Sequence, residues 1–79
     1  MKVHFDRESD ALYFRLDDSR IVESEEVKPG ILLDFNEQNQ VVGIEILDVG
    51  KRVSESSLKQ MHFEVAYPPF SLFHPGPSL

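Results

Sequence analysis

The chain has no cysteine, so no disulfide can staple it and no CxxC site for a metal or for redox chemistry exists. Its four glycines, Gly30, Gly43, Gly50 and Gly76, are each isolated, whereas a phosphate cradle needs several close together so that backbone N–H groups converge. Basic residues are scarce, 8 against 14 acids, and the net charge of -6 opposes any phosphate backbone. Nucleic acid is therefore not an expected partner. No stretch approaches the roughly 20 apolar residues of a membrane span, and the N-terminal residues carry no apolar signal region. A soluble, cytoplasmic protein with no membrane partner is expected. No GxSxG, Walker, GxGxxG or HExxH pattern occurs, so no catalytic residue and no cofactor is expected from a known signature.

What is present is one small domain's worth of chain: 79 residues, 41% hydrophobic and 28% charged, the composition of a folded globular protein. The acidity is uneven. Residues 1–50 carry 12 acids and 5 bases, while residues 51–79 carry 2 acids and 3 bases. The first half reads as strands. Val3 and Phe5 alternate with His4, and after the polar turn Arg7, Glu8, Ser9, Asp10 the residues Leu12, Phe14 and Leu16 alternate with Ala11, Tyr13 and Arg15. Residues 21–27 form the most charged strand, with Glu23, Glu25 and Glu26, which suits a sheet edge. These three acids are a solvated edge or a patch for a basic partner. Pro29 and Gly30 supply type II turn chemistry, which matches hairpin twist poorly and predicts a bulge or a splayed pair. After the next strand, residues 31–35, and a polar turn over residues 36–40, residues 41–49 are apolar on nearly both sides, the mark of a central strand.

From residue 51 the period changes. Ser54 caps a helix with Glu55 in its first turn, Leu58, Met61 and Val65 recur at helical spacing, and Pro68 ends it near Ala66. The predicted fold is α+β, a small antiparallel β-meander of about five strands followed by one short helix and an extended C-terminal arm. Residues 1–66 form the domain; residues 67–79, rich in proline and aromatics, form an arm packed at a subunit interface.

Two carboxylate sets invite a chemical reading. Asp6, Glu8 and Asp10 alternate around the first turn and are able to present oxygens to one hard cation, but Ala11 and Asp17 stand where an EF-hand needs Gly and Glu. The other reading makes Asp6 and Asp10 turn-forming residues that accept from nearby backbone N–H groups. The second set is Asp34, Glu45 and Asp48, with His4 and Tyr13 as neighbours if the sheet brings them together. Glu45 interrupts an apolar strand: partly buried, it would act as a general acid or base; on a solvent face, it would pair with Arg15 or Lys51. Asp6, Asp10, Tyr13, Asp34 and Glu45 are the candidate ligand residues. His4, His62 and His74 show no ligand spacing.

The run Phe5-Asp6-Arg7-Glu8-Ser9-Asp10-Ala11-Leu12-Tyr13-Phe14-Arg15-Leu16, then Val22-Glu23-Ser24-Glu25-Glu26-Val27, Pro29-Gly30-Ile31-Leu32-Leu33-Asp34-Phe35 and Val42-Gly43-Ile44-Glu45-Ile46-Leu47-Asp48, resembles the small prokaryotic family called domain of unknown function 2283. The resemblance covers residues 2 to about 53. It implies a compact antiparallel sheet followed by a short helix, and, since some relatives sit beside small toxin-like proteins, an antitoxin-like or partner-binding role. It assigns no catalytic residue. Phe5 departs from the tyrosine that the family usually carries before the first aspartate.

These readings lead to a protein–protein interaction module. A single helix cannot cover both faces of the sheet: with Val42, Ile44 and Ile46 beneath the helix, Leu32, Val41 and Leu47 are left on the other side. A homodimer is expected, with Leu32, Val41, Leu47, Phe70 and Phe73 at its interface. The competing expectation is a small metal- or metabolite-binding protein, or an enzyme, using the carboxylate set.

Overall fold

A computed structural model describes residues 1–67 of the chain; the expected arm from residue 68 onward, with Phe70 and Phe73, lies outside the described residues. Five strands, β1 (Lys2–Asp6), β2 (Ala11–Arg15), β3 (Glu23–Lys28), β4 (Ile31–Phe35) and β5 (Val41–Ile46), precede a 3-10 turn (Val49–Lys51) and one helix, α1 (Glu55–Leu58). The strands form one antiparallel sheet in the order β1-β2-β5-β4-β3, so the fold is the expected α+β arrangement of an antiparallel five-stranded sheet with a short helix. The charged strand β3 is an edge and the apolar strand β5 is the centre, as their residues predict.

The turns explain why the strands pair as they do. Asp6 accepts from the Glu8 N–H at 3.0 Å and from the Ser9 hydroxyl at 2.9 Å, and Asp10 takes a left-handed conformation, φ 55, which returns the chain into β2. Between β3 and β4, Gly30 sits at φ 83, the value that the third position of a type II turn requires. The register shifts between Glu26 and Lys28, the bulge this turn predicts. Asn36 organises the β4–β5 turn and is itself buried: its side-chain oxygen accepts from the Gln38 and Gln40 N–H groups at 3.0 and 2.9 Å.

Residues 16–22 carry the chain from β2 to the far edge, past the end of the sheet where the β4–β5 turn lies. Arg15 holds this crossing by donating to the Asp17 carbonyl at 2.6 Å and the Ser19 carbonyl at 2.5 Å, and Asn36 donates to the Ser19 hydroxyl at 3.1 Å. Leu16 and Val22 donate their N–H groups to Val42 and Phe35, tying both ends of the crossing to the sheet. β5 is thereby free to enter between β4 and β2.

Two expectations are corrected. The last strand, expected to run to Val49, ends at Ile46, because Asp48 turns left-handed, φ 53, and the chain enters the 3-10 turn. Val49 is buried there and donates its N–H to the Asp10 carbonyl at 3.1 Å, so this corner braces the β1–β2 turn. The helix, expected over residues 54–66, spans only Glu55–Leu58. Ser54 caps it as predicted, accepting from the Ser57 N–H at 3.2 Å. Beyond Leu58 the helical stripe stays largely unburied among the described residues: Met61 and Val65 are 54% and 53% exposed. Short helices repay their nucleation cost mainly by packing, and this one packs little.

Candidate functional site

Residues directly opposite each other in an antiparallel sheet point to the same side, so the register assigns every strand residue to a face. One face carries two polar rows. The first runs His4, Tyr13, Glu45, Leu32, Glu26, and the second Lys2, Arg15, Gly43, Asp34, Ser24. The other face carries Val3, Phe14, Ile44, Leu33, Glu25 and, one step along, Phe5, Leu12, Ile46, Ile31, Lys28.

On the polar face the second carboxylate set partly assembles. Tyr13 reaches diagonally across β5 and donates to Asp34 at 2.7 Å, and Ser24 donates to the other Asp34 oxygen at 2.5 Å. This diagonal is open because residue 43 is glycine: a Cβ there would collide with the Tyr13 hydroxyl and stand 2.7 Å from Asp34 Oδ2. A glycine inside a strand is the sequence signal for such a close approach. Burial first, and then the Asp34 carboxylate, pushes the Tyr13 hydroxyl above its ordinary range. Glu45 lies half-buried beside Tyr13, with His4 on its other side. Asp48 does not join them, since it lies beyond the strand in the left-handed turn. Ser24, the second donor to Asp34, is a member that the alternation of residues did not single out.

The first carboxylate set divides. Asp6 spends its oxygens inside its own turn, where the Ser9 hydroxyl, followed by the Glu8 N–H, holds its carboxyl below the usual range. Asp10 accepts from the Gly50 N–H through both oxygens, at 3.1 and 3.0 Å, 40 residues away in sequence. Asp6 therefore adopts the turn-forming arrangement, whereas the Asp10 side chain departs from it and braces the corner at Gly50 instead. Among the described residues, no group of three or more His, Cys, Asp or Glu is arranged to hold a metal ion.

The apolar face is covered over one corner. Val3, Phe5 and Leu12 face Leu58 and Met61 across a groove of about 320 Å³, with Arg7, Glu55 and Lys59 at its lips. Glu55 bonds Arg7 at 2.6 Å and approaches Lys59 at 4.0 Å. Elsewhere Phe14, Ile31, Leu33, Ile44 and Ile46 stay partly exposed, and Val3 and Leu16 are 43% and 40% exposed. The buried hydrophobic side chains of the described residues are Ala11, Leu12, Val42 and Val49. The apolar surplus therefore lies on the side expected to be filled by the helix. Of the three residues expected to leave the opposite face unfilled, Leu32 sits among Glu45 and Glu26 on the polar face, and Val41 pairs with Phe35 through a register shift. Leu47 lies past β5 and donates its N–H to the Gly30 carbonyl at 2.8 Å. Arg52, unremarked in the sequence, bridges the same corner by donating to the Leu47 carbonyl at 3.2 Å and the Pro29 carbonyl at 3.4 Å.

The model of the family described as protein of unknown function, DUF2283, matches residues 2–49. The chain belongs to this family. No curated protein and no solved structure matches it. The DUF2283 segment contains all five strands and so both faces of the sheet, whereas α1, with the Glu55 and Lys59 lips of the groove, falls after it. No helix of the described residues is long and apolar enough to cross a membrane.

Proposed function

We propose that this DUF2283 protein is a cytoplasmic protein–protein interaction module that works as a homodimer, its two sheets stacked through their apolar faces. One observation carries the reading: the face holding Phe14, Leu33, Ile44 and Ile46 meets, among the described residues, a single four-residue helix at one corner. Two such faces packed about 10 Å apart make a sandwich whose core neither chain has alone. Burying apolar surface contributes roughly 25 cal/mol per Å², and a chain this small gains little from its own core. A toxin-like partner of the kind implied by the family resemblance would take the same face.

Light scattering at micromolar concentration tests this. The expected mass is twice the 9.1 kDa of the chain. Val3→Asp is the informative variant, because Val3 is 43% exposed in the single chain and a charge there costs the monomer little, while a stacked face would trap it. The variant is expected to be monomeric with an unchanged circular dichroism spectrum. A wild-type chain that stays monomeric to hundreds of micromolar overturns the reading.

The alternative, a small polar ligand or metal held by carboxylates, draws on Tyr13, Asp34 and Glu45 sharing one face. The groove between α1 and the sheet and the smaller one beside Asp10 and Gly50 are lined by none of the three.

A further inference from the structure

The geometry points to a second self-association surface: the edge of β1 pairs antiparallel with β1 of a second copy, about a two-fold axis at His4, so that two sheets become one. This goes beyond the stacked homodimer, and it uses backbone at the sheet margin that face-to-face stacking leaves open.

The sheet has two edges, and their strands differ in charge pattern. Along β3 stand Glu23, Glu25, Glu26 and Lys28, and such a density of charge resists a further strand. β1 reads Lys2, Val3, His4, Phe5, Asp6, with its two formal charges at opposite ends and of opposite sign. Four of these five residues are exposed. Alternate N–H and C=O groups of β1 point away from β2, and among the described residues no backbone group outside the β1–β2 ladder bonds to them.

A two-fold axis normal to the sheet keeps both apolar faces on one side and centres on a residue. An axis at His4 overlaps all five residues of the strand. Lys2 then falls opposite Asp6 of the second copy, Val3 opposite Phe5, and His4 opposite His4. Both ends become pairs of opposite charge. Lys2 gains a counter-charge that its own chain does not give it: within the sheet it lies opposite Arg15, and neither Lys2 nor Asp6 forms an ion pair among the described residues. Val3 and Phe5 line the α1 groove, so their cross-axis pairs bring the two grooves together on the apolar side. Moving the axis to Val3 leaves Asp6 past the end of the second strand. Moving it to Phe5 carries Val3 and Lys2 onto Arg7 and Glu8, in the turn where the ladder has ended.

Cross-linking tests the pair and its register. The chain has no cysteine, so one introduced thiol reports one position. In this pair the two His4 Cα atoms stand about 4.5–5.5 Å apart, within disulfide reach, and the two Lys2 Cα atoms, four residues out of step, about 14 Å apart. Both side chains are exposed and lie on the polar face, which stacking turns outward, so the stacked homodimer cross-links neither. With a mild oxidant, His4→Cys is expected to form a covalent dimer about tenfold faster than Lys2→Cys on a non-reducing gel. Adding Lys2→Glu to His4→Cys sets like charges opposite each other at both ends, and should slow the reaction about threefold at low salt but not in about 1 M salt. A chain that dimerises by light scattering while His4→Cys reacts no faster than Lys2→Cys overturns the edge pair and leaves the stacked homodimer standing. Cross-linking indifferent to Lys2→Glu overturns the charge pairing that selects this axis.

Discussion

The two faces of this sheet solve their chemistry in opposite ways. The polar face closes its own hydrogen bonds: Asp34 receives Tyr13 and Ser24, Arg15 reaches the carbonyls of the β2–β3 crossing, and Asn36 feeds the β4–β5 turn. No buried side-chain nitrogen or oxygen of the described residues is left without a partner. The apolar face, built by the alternate residues of the same strands, has among the described residues only the α1 corner against it. Hydrogen bonds are satisfied by one or two well-placed groups, whereas apolar area needs an equal area to meet it. A chain of this length reaches the first condition before the second. Substitutions on the polar side, away from the β1 edge, should therefore alter unfolding while leaving association alone, and Val3→Asp on the apolar side should do the reverse.

Gly43 offers the largest effect on the polar side. With a Cβ, Gly43→Ala forces Tyr13 off its diagonal and parts it from Asp34, both of which are anchored in strands on either side of β5. Overpacking and one lost hydrogen bond together cost about 2–3 kcal/mol. Urea unfolding at fixed chain concentration should show this as a lower midpoint with an unchanged slope, and the dimer dissociation constant should stay within about threefold. An equally large loss of association would mean that the two faces are coupled through β5, and the comparison would fail.

Asn36→Ala comes next, at about 2 kcal/mol. It removes the acceptor of two backbone N–H groups and the donor to Ser19, in a side chain 4% exposed, so the partners left behind bear the desolvation penalty. Thermal unfolding should report it. Because Asn36 links the β4–β5 turn to the β2–β3 crossing, hydrogen exchange should accelerate in both segments together; acceleration in one alone would show that the Ser19 link is dispensable.

Much of this was readable from residue order, for reasons the residues make clear. Alternation separated the faces, the acids of β3 marked an edge, the continuous apolar character of β5 marked the centre, and the Pro29–Gly30 turn foretold the bulge. The helix is shorter than Leu58, Met61 and Val65 suggest, because helical spacing does not tell whether the stripe is laid down on the sheet, and Met61 and Val65 stay more than half exposed. The side of the sheet left uncovered differs from expectation for the same reason. Tyr13 and Glu45 were legible as neighbours only conditionally: which strand β2 would accept as its second partner depends on the seven-residue crossing, a non-local choice that no local pattern encodes. Ser24 becomes a partner of Asp34 only through the β3–β4 register.

Tyr13→Phe is the mildest test and the one that resolves the polar face into its parts. It keeps the ring over Gly43 and deletes the hydroxyl, while Ser24 still donates to Asp34, so the loss should be about 1 kcal/mol near neutral pH. The pH dependence separates the hydroxyl from the ring. Burial and the Asp34 carboxylate raise the Tyr13 pKa above 10.0, so the folded state favours the neutral phenol more than the unfolded chain does. That preference is fully present below pH 10 and is lost as pH rises through the raised value, where a phenolate would face a carboxylate. Wild-type unfolding free energy should accordingly fall faster than that of Tyr13→Phe above pH 10, bringing the two closer together. If the gap instead stayed constant to pH 11.5, the hydroxyl would not be held by Asp34 in solution, and the polar face would owe its order to Gly43 and the packed ring alone.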